Sequence, residues 1–120
     1  MNWDWEGGGY DEYSFRHPKR FEMATWYGSK LASLCLGRPS YMGGHLRLDF
    51  AEANPSENPL KGRIIPIILS AGELYASIIG ASEIRLIDPI DSKLVNYYSS
   101  FGYRYVSHNV KKHYLVKDLT

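Results

Sequence analysis

An α/β domain with strands first and two helices set into the second half is predicted from three stretches of this 120-residue chain. A β-rich run, RFEMATWY from Arg20 to Tyr27, meets the two-residue turn signal Gly28-Ser29 and continues into Leu31 to Gly37. From Asn58 to Val106 a basic loop bearing Pro and Gly opens an amphipathic helix, followed by a short strand, a second helix, a Gly and an aromatic strand. The last stretch, around Lys111-Lys112, is rich in aromatic and β-branched residues, which suit a pleated surface. Elements in this order can lay helices on a sheet and share one core.

Each element has a local reason. Residues 1 to 19 hold Trp3, Trp5, three consecutive glycines and RHPKR. Such a stretch predicts an N-terminal arm with little structure of its own, leading into a single domain over residues 20 to 120. Gly28-Ser29 between two apolar runs predicts a β-hairpin. A third strand is expected from His45 to Glu52, where Leu46, Leu48 and Phe50 alternate with Arg47 and Asp49. NPSENP is turn chemistry. Pro66 suits the first helical position, where its missing N–H has no partner to lose. Ile67, Ala71, Leu74 and Ile78 recur at helical spacing, and Gly80 is the stop. Glu83 to Asp88 reads as a short strand. Asp91 can cap a helix carrying Leu94, Val95, Tyr98 and Phe101 on one face, ended by Gly102. Tyr103 to Val110 and His113 to Leu119 form the expected terminal hairpin.

Composition excludes several classes of function. A formal net charge of +1 gives no field able to hold a polyanion, so nucleic acid is not an expected partner. The longest apolar run, Ile64 to Leu69, is broken by Pro66 and falls far short of the ~20 residues that cross a bilayer, so no membrane is expected. The acidic, aromatic start lacks the basic and apolar pattern of an export signal, and a cytoplasmic protein is expected. Cys35, the one cysteine, sits in the apolar run LASLCLG and reads as a small buried thiol. His17, His45, His108 and His113 lack the spacing of a zinc motif, so no metal is expected.

The loop from Lys61 to Pro66 opens a helix, and a helix N-terminus attracts anions through its unpartnered N–H groups and its dipole. Together with EIRLIDPID, LVNYYSSFGY and the closing Val116-Lys117-Asp118-Leu119, it resembles the GNAT N-acetyltransferase superfamily from about Arg20 onward. The resemblance implies a mixed, mostly antiparallel central sheet flanked by helices, shortened at the N-terminus. It implies acetyl-CoA as co-substrate and acetyl transfer to a primary amine, on a small molecule or a protein, by direct attack on the thioester. Such a site must hold two reactants in line, take a proton from the amine, stabilise an oxyanion and protonate the departing thiolate.

Roles follow from that resemblance. Tyr98 falls where the family's phenol donates to the CoA sulfur. The strand from His45 to Glu52 would be the family's fourth, with Phe50 and Ala51 as its backbone contacts to the co-substrate and Asp49 or Glu52 as the base. Lys61, Gly62, Arg63, Ile64 and Ile65 would line the pyrophosphate, and Asp91 stands where the family often has an Asn that contacts the cofactor.

Two departures matter. Ile64 and Pro66 replace glycines that are usual in that loop, and Pro66 removes an N–H donor. The front of the domain is also short, which leaves the acceptor groove open, closed by the arm with Trp3 and Trp5, or supplied by a second subunit; a homodimer is expected on this ground. A chain with these departures has an alternative use as a weak or inactive GNAT-like domain that serves as a protein-binding or inhibitory module.

Overall fold

Tyr27 and Lys30 close the first hairpin across Gly28-Ser29, and Gly28 takes a φ of 61°, the left-handed conformation that two-residue hairpin turns require. A computed structural model describes residues 5–54, 60, 62–87, 92–109 and 112–119. Its elements in chain order are α1 (Gly8–Arg16), β1 (Phe21–Tyr27), β2 (Lys30–Pro39), β3 (His45–Ala53), α2 (Ile64–Ile78), β4 (Glu83–Ile87), α3 (Ser92–Ser99), β5 (Arg104–Asn109) and β6 (Lys112–Asp118). They build one six-stranded sheet in the order β1-β2-β3-β4-β6-β5. All neighbours are antiparallel except β3 and β4, which run parallel and are joined through α2. This is the expected mixed, mostly antiparallel sheet flanked by helices. Among the described residues no helix is long and apolar enough to cross a membrane.

The N-terminal stretch differs from expectation. Residues 8 to 16 form a helix, although glycine weakens helices and an isolated helix this short is marginal in water. Tertiary packing supplies what propensity lacks: Tyr13 is buried, and its ring meets His17 at 4.7 Å and Phe50 at 5.9 Å. An Arg16–Glu12 pair at 2.9 Å adds a small increment on the outer side.

The inward face of α2 also differs. The stripe Ile67, Ala71, Leu74, Ile78 is not the one that turns inward: Leu74 and Ile78 are 64% and 72% exposed, and the buried residues are Ile64, Ile68, Leu69, Gly72 and Ala76. This helix is apolar nearly all round, so periodicity offers two stripes. Size decides between them. A Cβ on Gly72 would lie 3.1 Å from Ile84 Cδ1 and 3.4 Å from Leu48 Cδ1, so the small residues let α2 approach β3 and β4 closely. Pro66 occupies the third helical position, not the first, and its absent N–H still removes no intrahelical bond. At the far end Ala81 N donates to Ala76 O and Gly80 N to Ser77 O, the paired bonds that close a helix when glycine follows it.

The core lies between the sheet and α2. Leu46, Leu48, Ile84, Leu86 and Leu115 meet Ile64, Ile68, Leu69 and Ala76, while Val95, Tyr98 and Phe101 of the α3 segment pack at its margin.

Candidate functional site

The strands β3 and β4 part company in the middle of the sheet. Their parallel pairing runs from His45↔Glu83 to Leu48↔Leu86, and no further pair joins them among the described residues. One residue later β3 carries a bulge: Leu36 faces Phe50 and Gly37 faces Leu48, so Asp49 is the extra residue. An inserted residue bends and twists its strand. Residues 50 to 53 stay in register with β2 while no described residue of β4 pairs with them, and this gap in the pairing is the wedge of the sheet.

Close backbone contact makes the bulge possible. A Cβ at Gly37 would stand 2.3 Å from the Arg47 carbonyl oxygen and 2.9 Å from Leu48 Cδ2, closer than any side chain tolerates. A bulge also turns neighbouring side chains to one face, and Asp49 and Phe50 both meet α1. The Asp49 carboxylate accepts the Tyr13 hydroxyl at 2.8 Å, Arg47 Nη2 at 3.0 Å and Arg47 Nε at 3.2 Å, and Arg38 Nε lies 3.3 Å away. Its side chain is 9% exposed. Burial first, and then the negative charge of Asp49, pushes the Tyr13 phenol far above its ordinary value, so the phenol stays protonated and donates.

Phe50, Ala51 and Glu52 follow on the diverging half of β3. Phe50 and Glu52 are half-buried and Ala51 is exposed; alternation sets Glu52 on the Phe50 side of the strand. The next element after β3 is α2. There Arg63 is the N-cap, with no side-chain capping bond. Its N–H donates to Leu60 O at 2.8 Å, so it is taken by the turn. Ile64 is 3% exposed and anchors the helix in the core, Ile65 is partly buried against the same cluster, and nothing stands within 4 Å of the Cα substituent position at Gly62. The N–H groups of Ile64 and Ile65 belong to the first helical turn and lack intrahelical acceptors. Lys61 and Asp91 lie outside the described residues, as does Trp3.

Tyr98 stands on α3, packed at the margin of the core. The turn after that helix fixes it: Tyr103 N donates to Tyr98 O at 3.4 Å and Gly102 N to Ser99 O at 3.1 Å, with Gly102 at a φ of 94°. The Tyr98 and Tyr103 rings meet edge on at 6.5 Å, the apolar contact that accompanies such a helix end. Burial raises the Tyr98 phenol above its ordinary value, and the nearby Cys35 thiol adds to the effect. Cys35 is itself buried, and burial followed by the Asp49 charge pushes its thiol up to about 12; it is inert as a nucleophile at neutral pH. Gly102→Ala forces a side chain into a left-handed conformation at a cost of about 1–2 kcal/mol, and the denaturant midpoint should fall accordingly. An unchanged midpoint would mean that the turn does not hold Tyr98 in this way.

The arm residue Trp5 lines a cavity of about 400 Å³ with Tyr10, Met23, Leu34 and Leu36, beside the α1 face of β1 and β2. Tyr10 and Arg20 both reach the Glu22 carboxylate. Sequence reasoning missed Tyr13, Arg38 and Arg47 as neighbours of this site. The alternation in HLRLDFAE placed Arg47 and Asp49 on one strand, but register with β2 and the seating of α1 are what bring them together.

Acetyl-CoA fits the described residues in part. Residues 50 to 53 of β3 have no β4 partner among the described residues and the first turn of α2 carries the N–H groups of Ile64 and Ile65, whereas Pro66 and the engaged Arg63 N–H subtract two donors. No protein-family model matches the sequence, and no curated protein is similar to it. Solved structures are similar. The aminoglycoside 6'-N-acetyltransferase from Enterococcus faecium aligns with a TM-score of 0.67 at 16% identity, over 96% of this chain and 83% of that one. Ard1 from Thermoplasma volcanium aligns at 0.71 and 10% identity over 93% and 78%, and an acetyltransferase from Bacillus subtilis in complex with CoA at 0.70 and 16% over 92% and 84%. At these identities the likeness is one of fold, and the fold of this chain is that of the GNAT acetyltransferases.

Proposed function

We propose that the protein transfers an acetyl group from acetyl-CoA to a primary amine by direct attack on the thioester. The observation that carries this reading is the end of the β3–β4 pairing at Leu48↔Leu86 beside the bulge on Asp49; in this reading the α2 N-terminus stands at the mouth of that gap. When bound there, the thioester supplies the activated acetyl group. The backbone of Phe50 and Ala51 lines the acyl end, and the first turn of α2, with Gly62, Arg63, Ile64 and Ile65, receives the pyrophosphate; Lys61 and Asp91 complete the proposed lining. Tyr98 holds a proton at neutral pH and is the acid that meets the departing sulfur. Glu52 is the base we favour, because Asp49 is engaged by Tyr13, Arg47 and Arg38 and serves to brace the bulge.

The test is unfolding with and without the thioester. A ligand at a hundred times its Kd adds about 2.7 kcal/mol, which raises the melting midpoint of a domain this size by several degrees. No shift at millimolar acetyl-CoA would favour a second reading, a GNAT-like module that binds a protein partner. The specific support for that alternative is Pro66 in the first turn of α2 together with the Arg63 N–H already given to Leu60.

We further infer a homodimer in a reducing, cytoplasmic setting. Exposed Leu74 and Ile78 on α2 support an interface, since apolar side chains in a row on a helix are seldom left to solvent, and a free buried Cys35 suits a reducing compartment. Light scattering on an eluting size-exclusion peak should give twice the chain mass of 13.7 kDa; the single-chain mass at every concentration would remove the dimer from this reading.

A further inference from the structure

Arginines stand side by side across the middle of the sheet. Arg38 on β2 is the register partner of Arg47 on β3, and Arg47 that of Arg85 on β4. Register partners share a face. Leu46, Leu48, Ile84 and Leu86, which alternate with them, belong to the core under α2, so the guanidiniums occupy the opposite face, where Tyr13 of α1 and its C-cap His17 reach Asp49 and Arg38.

Charge within this row and its ion-pair partners does not cancel. Asp49 answers Arg38 at 3.3 Å and Arg47 at 3.0 Å, and Glu83 answers Arg85 at 2.6 Å. Three guanidiniums against two carboxylates leave one positive charge, and each arginine keeps about a third of its side chain in solvent, at 32%, 32% and 29%. Two histidines report the same field. Burial and then Arg38 hold His17 below its ordinary value, and burial and then Arg85 do so for His45, so neither adds charge at neutral pH.

The row borders the wedge. Arg47↔Arg85 immediately precedes the last β3–β4 pair, Leu48↔Leu86, and because Asp49 is inserted, Phe50 faces Leu36, two residues from Arg38 along β2, a rise of about 7 Å from Arg47. A small bifunctional molecule can therefore put an amine at Phe50 and a second group within reach of the Arg47 and Arg85 heads.

We propose that this row selects an acceptor amine that also carries an oxyanion, a carboxylate or a phosphate, bound by Arg47 and Arg85. The proposal rests on the acetyl-transfer reading above. Guanidinium forks match both groups and bind them through charge-assisted hydrogen bonds. An acceptor with several positive charges and no anion meets like charge at the same place.

Matched acceptors test it. With acetyl-CoA saturating and thiol release as the readout, lysine is compared with lysine methyl ester, O-phosphoethanolamine with ethanolamine, and spermidine serves as the polycation. The expected kcat/KM is at least tenfold higher for the anionic member of at least one pair, the pair naming the anion, with spermidine the poorest. Arg85→Gln should bring that ratio to within twofold of one through KM, and Arg85→Lys should restore part of it; Arg47→Gln replaces Arg85→Gln if the latter fails to fold. Binding is read separately by calorimetry with Nε-acetyl-lysine and its methyl ester, and with N-acetyl-O-phosphoethanolamine and N-acetylethanolamine, which need no turnover. If no acceptor turns over but an acetylated anion still outbinds its uncharged counterpart tenfold in an Arg85-dependent way, the anion site stands and the acetyl-transfer reading falls. Equal use and equal binding of both members in both pairs, a preference for spermidine, or a uniform loss in the Arg85 variant would overturn the proposal.

Discussion

Tyr98→Phe should lower kcat by about 10²–10⁴, the range that a positioned general acid contributes, with KM for acetyl-CoA changed by no more than about twofold. The substitution removes one oxygen atom and keeps the ring, so the contacts to Tyr97 at 6.1 Å and Tyr103 at 6.5 Å survive. Its melting midpoint should stay close to that of the parent chain. The sign of the pH dependence follows from burial. Burial raises the phenol, so its proton is retained through neutral pH, and the part of kcat that depends on Tyr98 declines only where pH passes beyond the ordinary phenol range. Steady-state rates of the parent and the variant across pH 6 to about 10 check both statements. An equal loss of turnover and of acetyl-CoA affinity would make Tyr98 a packing residue at the end of α3.

How much of this was legible beforehand differs from element to element. The first hairpin, β3 and the end of α3 could be read because their signals are local: a glycine at the turn, alternation along the strand, and Gly102 after the last apolar residue. Tyr98 inherits that legibility, since its position is counted from Gly102. The helix α1 could not be read. Its glycines argue against it, and it forms because Tyr13 finds Asp49 and Phe50, residues some 36 positions away, which no window on the sequence contains. The inward face of α2 failed for a related reason, since an all-round apolar helix leaves the choice to the close approach at Gly72. The bulge is the hardest case. LRLDF reads as alternation straight through Asp49, and an inserted residue shows itself only when a partner strand is counted against it. The row Arg38, Arg47, Arg85 was hidden likewise, because three arginines far apart in sequence become neighbours only through register.

Gly37→Ala should be the most damaging single methyl that can be added to this chain near the site. The new Cβ would meet the Arg47 carbonyl oxygen at 2.3 Å and Leu48 Cδ2 at 2.9 Å. The first of these is backbone, which cannot rotate away, so β2 and β3 must separate where Gly37 pairs with Leu48. Overpacking of this kind costs typically up to about 3 kcal/mol, and a domain of this size then melts lower by on the order of 10 °C. Function should suffer beyond stability, because the strain falls on the residue pair beside the Asp49 bulge, which opens the wedge. Relief by closing the bulge would shift Asp49 away from Tyr13 and unseat α1. Gly44→Ala is the matched control: nothing stands within 4 Å of its added carbon, and a change within about 0.5 kcal/mol is expected of it. Thermal and urea unfolding of the two variants side by side, with acetyl-CoA binding measured below both midpoints, decides the matter. A Gly37→Ala protein that melts and binds like the Gly44→Ala protein would mean that β2 and β3 do not meet at this pair, and the wedge would lose the feature that opens it.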